Sequence, residues 1–384
     1  MRSIIGNRMF SLIKSIIPYR FRNKQSVFTD SFDRLNVSVF KELQSPETIE
    51  WFPAYLCNSK CQYCGGYDKE TVSGFGEIVP FKNIVKWIEL SGKSGTTIWN
   101  VGGRGGEPLL YPDLIAVLET IKLYQMRGIL ITNGLLLNEL FLIRMVKAKW
   151  DILRISLDSH IPEIHDEIRG IQGNFKSIDM ALALFKKIKR KNSSVYPYII
   201  CCPVITNKNY KYIVEYFEYC VEREVNEIQF MPLISVHERA GKLSLSDEQK
   251  NEFTVLLEKI RCKDRIKHNI EFILSFYKNS DKISHQKLNA KGSLSNKLYC
   301  IHLWKTLVIS EDGYLSPCSL IKDKLLKIKD SYLEAWNSQV MNDLRKKILR
   351  GQVINSVCKD CCGPLRNETD NFNQYLLKIK NEIS

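Results

Sequence analysis

From about residue 50 to residue 231 the chain alternates short apolar stretches with amphipathic ones, and this alternation constrains its fold most strongly. Strand-like segments lie at 51–56, 97–101, 128–132, 152–157, 198–204 and 227–231. Helical periodicity fills 112–124, 177–189 and 210–222, and another helix follows the Asn133-Gly134 turn. Parallel strands need a long crossover, ordinarily a helix, to return the chain to the same end of the sheet. Strand–helix alternation therefore predicts a parallel sheet with helices outside. Six such units make an α/β fold of the partial (β/α)6, TIM-like barrel type, followed by a small C-terminal α+β domain. In such barrels functional groups gather at the C-terminal strand ends. Cys57 follows the first segment, Gly105, Gly106 and Glu107 the second, Asn133 the third and Asp158 the fourth.

The expected divisions are a basic N-terminal segment (1–48), the barrel core (49–235), a helical and loop connection (236–297), the cysteine-rich domain (298–366) and a helical tail (367–384). Within the connection a helix is expected at 246–260 and a loop at 279–296. A chain of 384 residues that is 44% hydrophobic can bury a sizeable core. The net charge of +14 favours anionic partners. The charge is spread widely and no nucleic-acid motif accompanies it, so specific nucleic-acid binding is not expected. Residues 1–24 carry Arg2, Arg8, Lys14, Arg20, Arg22 and Lys24 and no acid. Ile5, Met9, Leu12, Ile13, Ile16 and Ile17 fall on one helical face among them, until Pro18 ends the pattern. Such a helix lies on an anionic membrane surface, giving peripheral contact through residues 1–20, or packs on the protein's own body. There is no secretory pattern and no apolar run of spanning length, so a cytoplasmic location is expected.

The chain has twelve cysteines, and in a reduced compartment clustered thiols point to metal or redox chemistry. Cys57, Cys61 and Cys64 form a C-x3-C-x2-C loop. Thiolates are soft ligands suited to iron–sulfur clusters. Three of them leave one iron of a [4Fe–4S] cube open to a small molecule, whereas a structural zinc site has four protein ligands.

This loop, with Tyr63 before its last cysteine, resembles the signature of the radical S-adenosylmethionine (SAM) superfamily. The resemblance implies that SAM chelates the open iron and that Tyr63 sits near adenine. Gly105-Gly106-Glu107-Pro108 resembles the family's GGEP motif, with Glu107 the acceptor for SAM's ammonium group. The additional Gly102, Gly103 and Arg104 depart from that motif and alter the approach to the site. Thr132-Asn133-Gly134 resembles its T-N-G turn. Ser156-Leu157-Asp158 resembles its S-L-D segment, in which Ser156 contacts SAM and Asp158 bonds nearby loops or the ribose. The stretch from His165 to Gly170 resembles H-D-x-x-R-G, with Arg169 a candidate for SAM's carboxylate. Thr206, Asn207, Met231 and Pro232 are expected near adenine or ribose. Trp99, Asn100, Glu238 and Arg239 are expected near the barrel mouth.

A second cysteine group comprises Cys300 and Cys318, flanking a hairpin predicted at Asp312-Gly313, and Cys358 and Cys361. Four thiolates make a closed zinc site or a four-cysteine iron–sulfur cluster, and spacing does not choose between them. With the upstream core, the region resembles the SPASM domain and its short relative, the Twitch domain, implying an auxiliary [4Fe–4S] cluster. A full SPASM domain needs about seven cysteines for two clusters, so the smaller set here fits one. Cys362 is the spare, and a register using it in place of Cys361 stays open. Cys201, Cys202, Cys220 and Cys262 read as structural.

The resemblance implies an external one-electron reductant of flavodoxin or ferredoxin type, reductive cleavage of SAM, and hydrogen abstraction from substrate. Two substrate readings follow: a small molecule such as an alcohol, sugar or glycan precursor, anionic in keeping with the basic chain, or a peptide. Peptide-maturing relatives often carry an N-terminal leader-binding domain, and about fifty residues precede the core here, which favours the small molecule. A non-catalytic iron–sulfur carrier and a zinc-binding module are the readings from other classes.

Overall fold

The sheet follows from short alternating strands whose neighbours are set by helical crossovers. The computed structural model describes residues 45–65, 77–103, 105–233, 238–283, 300, 302–319, 321, 323–349 and 354–355. The basic segment 1–24, Arg104, Cys358, Cys361, Cys362 and the tail 367–384 lie outside the described residues. The described strands are β1 (Thr48–Trp51), β2 (Ile98–Val101), β3 (Arg127–Thr132), β4 (Ile152–Ile155), β5 (Tyr198–Cys201), β6 (Val204–Ile205), β7 (Glu227–Ile228), β8 (Met231–Pro232), β9 (Lys267–His268), β10 (Thr306–Ile309), β11 (Tyr314–Ser316) and β12 (Leu326–Lys327). One sheet runs β12-β11-β10-β1-β2-β3-β4-β5-β7-β9, and β6 pairs with β8 separately. From β10 through β9 every neighbouring pair is parallel. This is the partial α/β barrel that the alternation predicts.

Residues in register share a face of the sheet. Trp51, Val101, Leu130 and Leu153 stand side by side and are fully buried. Trp99 shares their face and donates its indole N–H to Ser91 Oγ on the helix Phe81–Ser94. That helix buries Ile84, Trp87, Ile88 and Ser91, an i, i+3, i+4, i+7 stripe. Helices Leu114–Leu123, Glu139–Lys147 and Asn174–Lys191 continue the outer layer. The opposite face lines the lumen. Glu50, Asn100, Ile129 and Ile152 form one row there, and Ile131, Arg154, Ile200 and Glu227 the next. Closed barrels fill this space with branched apolar layers, so polar and charged groups in it mark a ligand site.

Several expectations shift. The first strand ends at Trp51 rather than spanning 51–56, because Pro53 has no N–H for a ladder. The segment 198–204 breaks at Pro203 into β5 and β6 for the same reason. Helices Phe81–Ser94 and Pro162–Arg169 were not anticipated. Helix Ile270–Ile283 runs into the expected loop 279–296, and β9 makes part of the connection a sheet edge. Trp99 packs on a helix instead of facing the mouth. Glu238 is an exposed partner of Lys242. The predicted hairpin forms as β10 and β11, and β10 continues the barrel sheet by pairing in parallel with β1. Among the described residues no helix is long and apolar enough to cross a membrane.

Candidate functional site

The cysteine loop leaves the top of β1 and is held by backbone hydrogen bonds to the end of helix Pro162–Arg169. Lys60 N–H donates to the Arg169 carbonyl and Gln62 N–H to the Ile168 carbonyl, each at 3.0 Å. Gln62 Nε2 adds a bond to the Glu167 carbonyl at 3.0 Å. Gly170 ends that helix at φ +64°, and a Cβ there would stand 2.3 Å from the Lys60 carbonyl oxygen. Only glycine allows this approach. Cys61 is buried and Cys64 half-buried, while Cys57 is exposed. Burial pushes the Cys61 thiol up to about 12, so metal binding there displaces a proton.

From this loop a closed hydrogen-bond circuit runs through four strand ends. Tyr63 donates its hydroxyl to Asp158 Oδ2 at 2.9 Å and accepts from Arg169 at 2.7 Å. Arg169 pairs with Asp158 at 3.5 Å, and both are buried. Asp158 Oδ1 accepts from Val204 N–H at 2.9 Å. The Asp158 N–H donates to His165 Nδ1 at 3.1 Å, which leaves the ring proton on Nε2, facing Asn174 Oδ1 at 3.1 Å. Asn174 Nδ2 donates to the Asn133 carbonyl at 3.0 Å. Asn133 Nδ2 returns to the loop, donating to Asn58 Oδ1 at 2.7 Å and Ser59 Oγ at 3.1 Å.

Burial holds His165 below its ordinary value, so it is neutral in the folded chain. The unfolded chain takes up this proton as pH falls below about 6.5. The contribution to stability is therefore full above that pH and is lost on acidification. As pH falls below about 6.5 the parent should lose stability through this group, by at most about 1.4 kcal/mol per pH unit. H165Q should lack that component, as urea unfolding at each pH will measure. Equal slopes in both proteins would remove His165 as the source.

Glu107 closes the other side. It caps the 3-10 turn Pro108–Leu110, and its Oε1 accepts from Leu109 N–H at 3.0 Å and Thr132 Oγ1 at 2.6 Å. Its Oε2 accepts from Asn133 N–H at 2.8 Å. Burial raises the carboxyl, and these three hydrogen bonds oppose the rise. Gly105 and Gly106 form the preceding turn, and a Cβ on Gly106 would lie 1.8 Å from the Ala54 carbonyl oxygen. Ser156 N–H donates to the Thr132 carbonyl at 3.0 Å, which sets Ser156 just above β4. Met231 is partly exposed, and its N–H donates to the Pro203 carbonyl next to Val204.

The donor set fits a cluster carrying a zwitterionic ligand. Arg169 Nε and Asn58 Nδ2 are buried N–H donors with no hydrogen-bond partner among the described residues. They sit beside the thiols, ready for an anionic group, and Glu107 faces them as an acidic acceptor for a cationic one. Among the described residues no three Cys, His, Asp or Glu side chains gather as they would on one metal ion. A cube attaches its thiolates to separate irons and does not require that.

The geometry thus joins Cys57, Cys61, Cys64, Tyr63, Glu107, Asn133, Asp158 and Arg169. Thr206 reaches the circuit through one residue: its N–H and Oγ1 donate to Asn209 Oδ1, and Asn209 Nδ2 donates to the Asp158 carbonyl at 2.7 Å. Asn207 is bound to the Leu243 and Lys242 carbonyls. Asn58, Ser59 and Asn174 escaped the sequence reading. Only Asn58 and Ser59, which follow the first cysteine, could have been found, by their place in the loop. Cys300 and Cys318 flank the β10–β11 hairpin as expected.

An open parallel α/β barrel with three thiols on the loop after β1 and an acid–guanidinium pair facing them is the architecture of a cluster-dependent SAM enzyme. A radical SAM superfamily domain matches residues 51–220, and an iron–sulfur cluster-binding SPASM domain matches residues 300–362. A probable GTP 3′,8-cyclase of Methanococcus maripaludis is 26% identical over 279 residues, covering 71% of this chain and 84% of the relative. The crystal structure of Streptococcus suis SuiB bound to S-adenosylmethionine matches with a TM-score of 0.62 at 15% identity, covering 94% of this chain and 81% of that one. Native anSMEcpe with bound AdoMet matches with a TM-score of 0.55 at 18% identity, covering 83% and 87%. The chain belongs to the radical SAM superfamily and carries a SPASM domain. It is a radical SAM enzyme whose cofactors are SAM, a SAM-binding [4Fe–4S] cluster and an auxiliary cluster.

Proposed function

We propose that the enzyme removes hydrogen from a small hydroxylated molecule (an alcohol, sugar or glycan precursor) and oxidises it by two electrons. One observation carries this reading. Asn100 Oδ1 is a buried acceptor in the lumen with no partner among the described residues, while Asn100 Nδ2 is tied to Glu50 at 2.9 Å. A buried acceptor of this kind awaits a donor such as a substrate hydroxyl. That a relative is named for GTP is in keeping with a small molecule.

Cys57, Cys61 and Cys64 would hold the cluster that, once reduced by a flavodoxin- or ferredoxin-type donor, splits SAM into methionine and a 5′-deoxyadenosyl radical. Glu107 takes SAM's ammonium, and Arg169 offers Nε to its carboxylate. Tyr63, Asn133, Asp158 and Met231 fix the loops around adenine and ribose, Gly105, Gly106 and Pro108 the turn under the amino acid, and Ser156 marks the floor. Cys300, Cys318, Cys358 and Cys361 would hold the auxiliary cluster as the acceptor of the second electron. One hydrogen atom leaves as 5′-deoxyadenosine, one electron goes to that acceptor and one proton to solvent, leaving a carbonyl.

Dithionite-reduced enzyme with SAM and candidate alcohols should give 5′-deoxyadenosine and, in equal amount, a product lighter by two hydrogens. SuiB has been crystallised with a precursor peptide, so a peptide is the competing substrate. A mass change confined to peptide fractions would replace the small molecule. C300A/C318A enzyme should fall from about eight to about four iron per chain and lose the oxidised product. Unchanged iron would remove the auxiliary site from those two thiols.

A further inference from the structure

The proposed substrate enters a lumen that holds one more unexplained group. Arg154 lies on β4 and faces the lumen, one row below Ser156. It makes no hydrogen bond or ion pair among the described residues, and its Nε is buried. Its neighbours in register are Ile131 and Ile200. The carboxylate next along that row, Glu227, is engaged by Tyr198 at 3.1 Å and Lys267 at 3.0 Å. A half-buried guanidinium without a counter-ion weakens the resting fold, and such liabilities are retained where function uses them.

We propose that Arg154 anchors an anionic group of the substrate, a carboxylate or phosphate. This rests on the small-molecule reading and narrows it. Two strand spacings, about 10 Å, separate β2 from β4. Asn100 accepts at one side of that gap, and Arg154 donates a planar fork at the other. Ile129 and Ile131 of β3 lie between them. The substrate is therefore bipolar: a hydroxyl toward Asn100, an anion on Arg154 and an apolar middle over the isoleucines. The anion lies two residues below Ser156, about 7 Å along the strand, so the molecule is held beneath SAM with its hydroxyl end toward β2.

The test needs neither reduction nor turnover. Thermal unfolding of the oxidised, SAM-loaded holoenzyme is compared for the parent, R154M and R154K in potassium chloride, succinate and pyrophosphate at equal ionic strength. In chloride, R154M should melt no lower than the parent, because an unpaired charge has gone. Succinate or pyrophosphate should raise the parent's Tm by about 2 °C or more over chloride, with R154K following and R154M not. A succinate response alone assigns a carboxylate, and a pyrophosphate response alone assigns a phosphate. Equal anion effects in the parent and R154M, or none in either, would overturn the anchor. So would an R154M protein that melts several degrees lower or fails to fold, since Arg154 would then belong to the framework. A positive anion shift with no oxidised product would leave the anchor standing and remove the proposed oxidation.

Discussion

Enzyme in which Cys57, Cys61 and Cys64 are all alanine forms no 5′-deoxyadenosine above background and carries about four iron atoms per chain against about eight in the parent. The loss is complete because cleavage of SAM needs the electron that this cluster supplies, and no other group on the loop can replace a thiolate. The fold should survive. Lys60 and Gln62 tie the loop to helix Pro162–Arg169 through backbone groups, and Asn133 grips it through Asn58 and Ser59. Those bonds do not involve the cysteine side chains. Far-ultraviolet circular dichroism of the variant should therefore match the parent while iron, sulfide and SAM cleavage fall. Iron content unchanged by the triple replacement would sink the assignment of the catalytic cluster.

R169M should be the most damaging single change away from the thiols. It leaves the Asp158 carboxylate buried, with the Tyr63 hydroxyl and Val204 N–H as donors and no cation in contact. Breaking one side of a buried ion pair costs about 3–5 kcal/mol, a large share of the roughly 5–15 kcal/mol that holds a domain folded. R169M/D158N removes the stranded charge as well and should recover stability, with a coupling energy of about 0.5–3 kcal/mol. It should not recover SAM binding, because the Arg169 Nε donor is still missing. Urea unfolding and SAM titration across the double-mutant cycle will separate the two roles. If R169M proved as stable as the parent, the ion pair would have no structural weight. Restored SAM binding in the double variant would remove Arg169 from the ligand site.

The barrel was legible because crossover helices and strands differ in period, and the two periods alternate cleanly from β2 to β5. Strand ends were less so. Apolar content alone drew the first strand across Phe52 and Pro53, although the shorter Thr48–Trp51 run, with its strict alternation, is the one that pairs. Pro203 interrupts a continuous apolar run and sends Val204 and Ile205 to a different sheet. The candidate site residues were legible by spacing, since the cysteines, Glu107, Asp158 and Arg169 each follow a strand or close a helix. Their supports were not. Asn174 joins His165 to Asn133 across 41 residues of sequence, and no local pattern announces a bond of that range. Arg154 was equally hidden, and Asn100 could be placed near the mouth only together with Trp99, because a strand's two faces can be told apart only once the helices are in place.

The order of strands also sets a timetable for synthesis. β1 lies between β2 and β10, and β10 emerges about 250 residues after it. At about 5–20 residues per second, the ribosome leaves one side of β1 without its neighbour for roughly 10 to 50 seconds. During that interval the strand presents an open edge that other chains can pair with. The cysteine loop hangs from that same strand, so its cluster is best inserted after the C-terminal hairpin has docked. Expression hosts that slow elongation should lengthen the exposed interval and yield more aggregated, iron-poor protein.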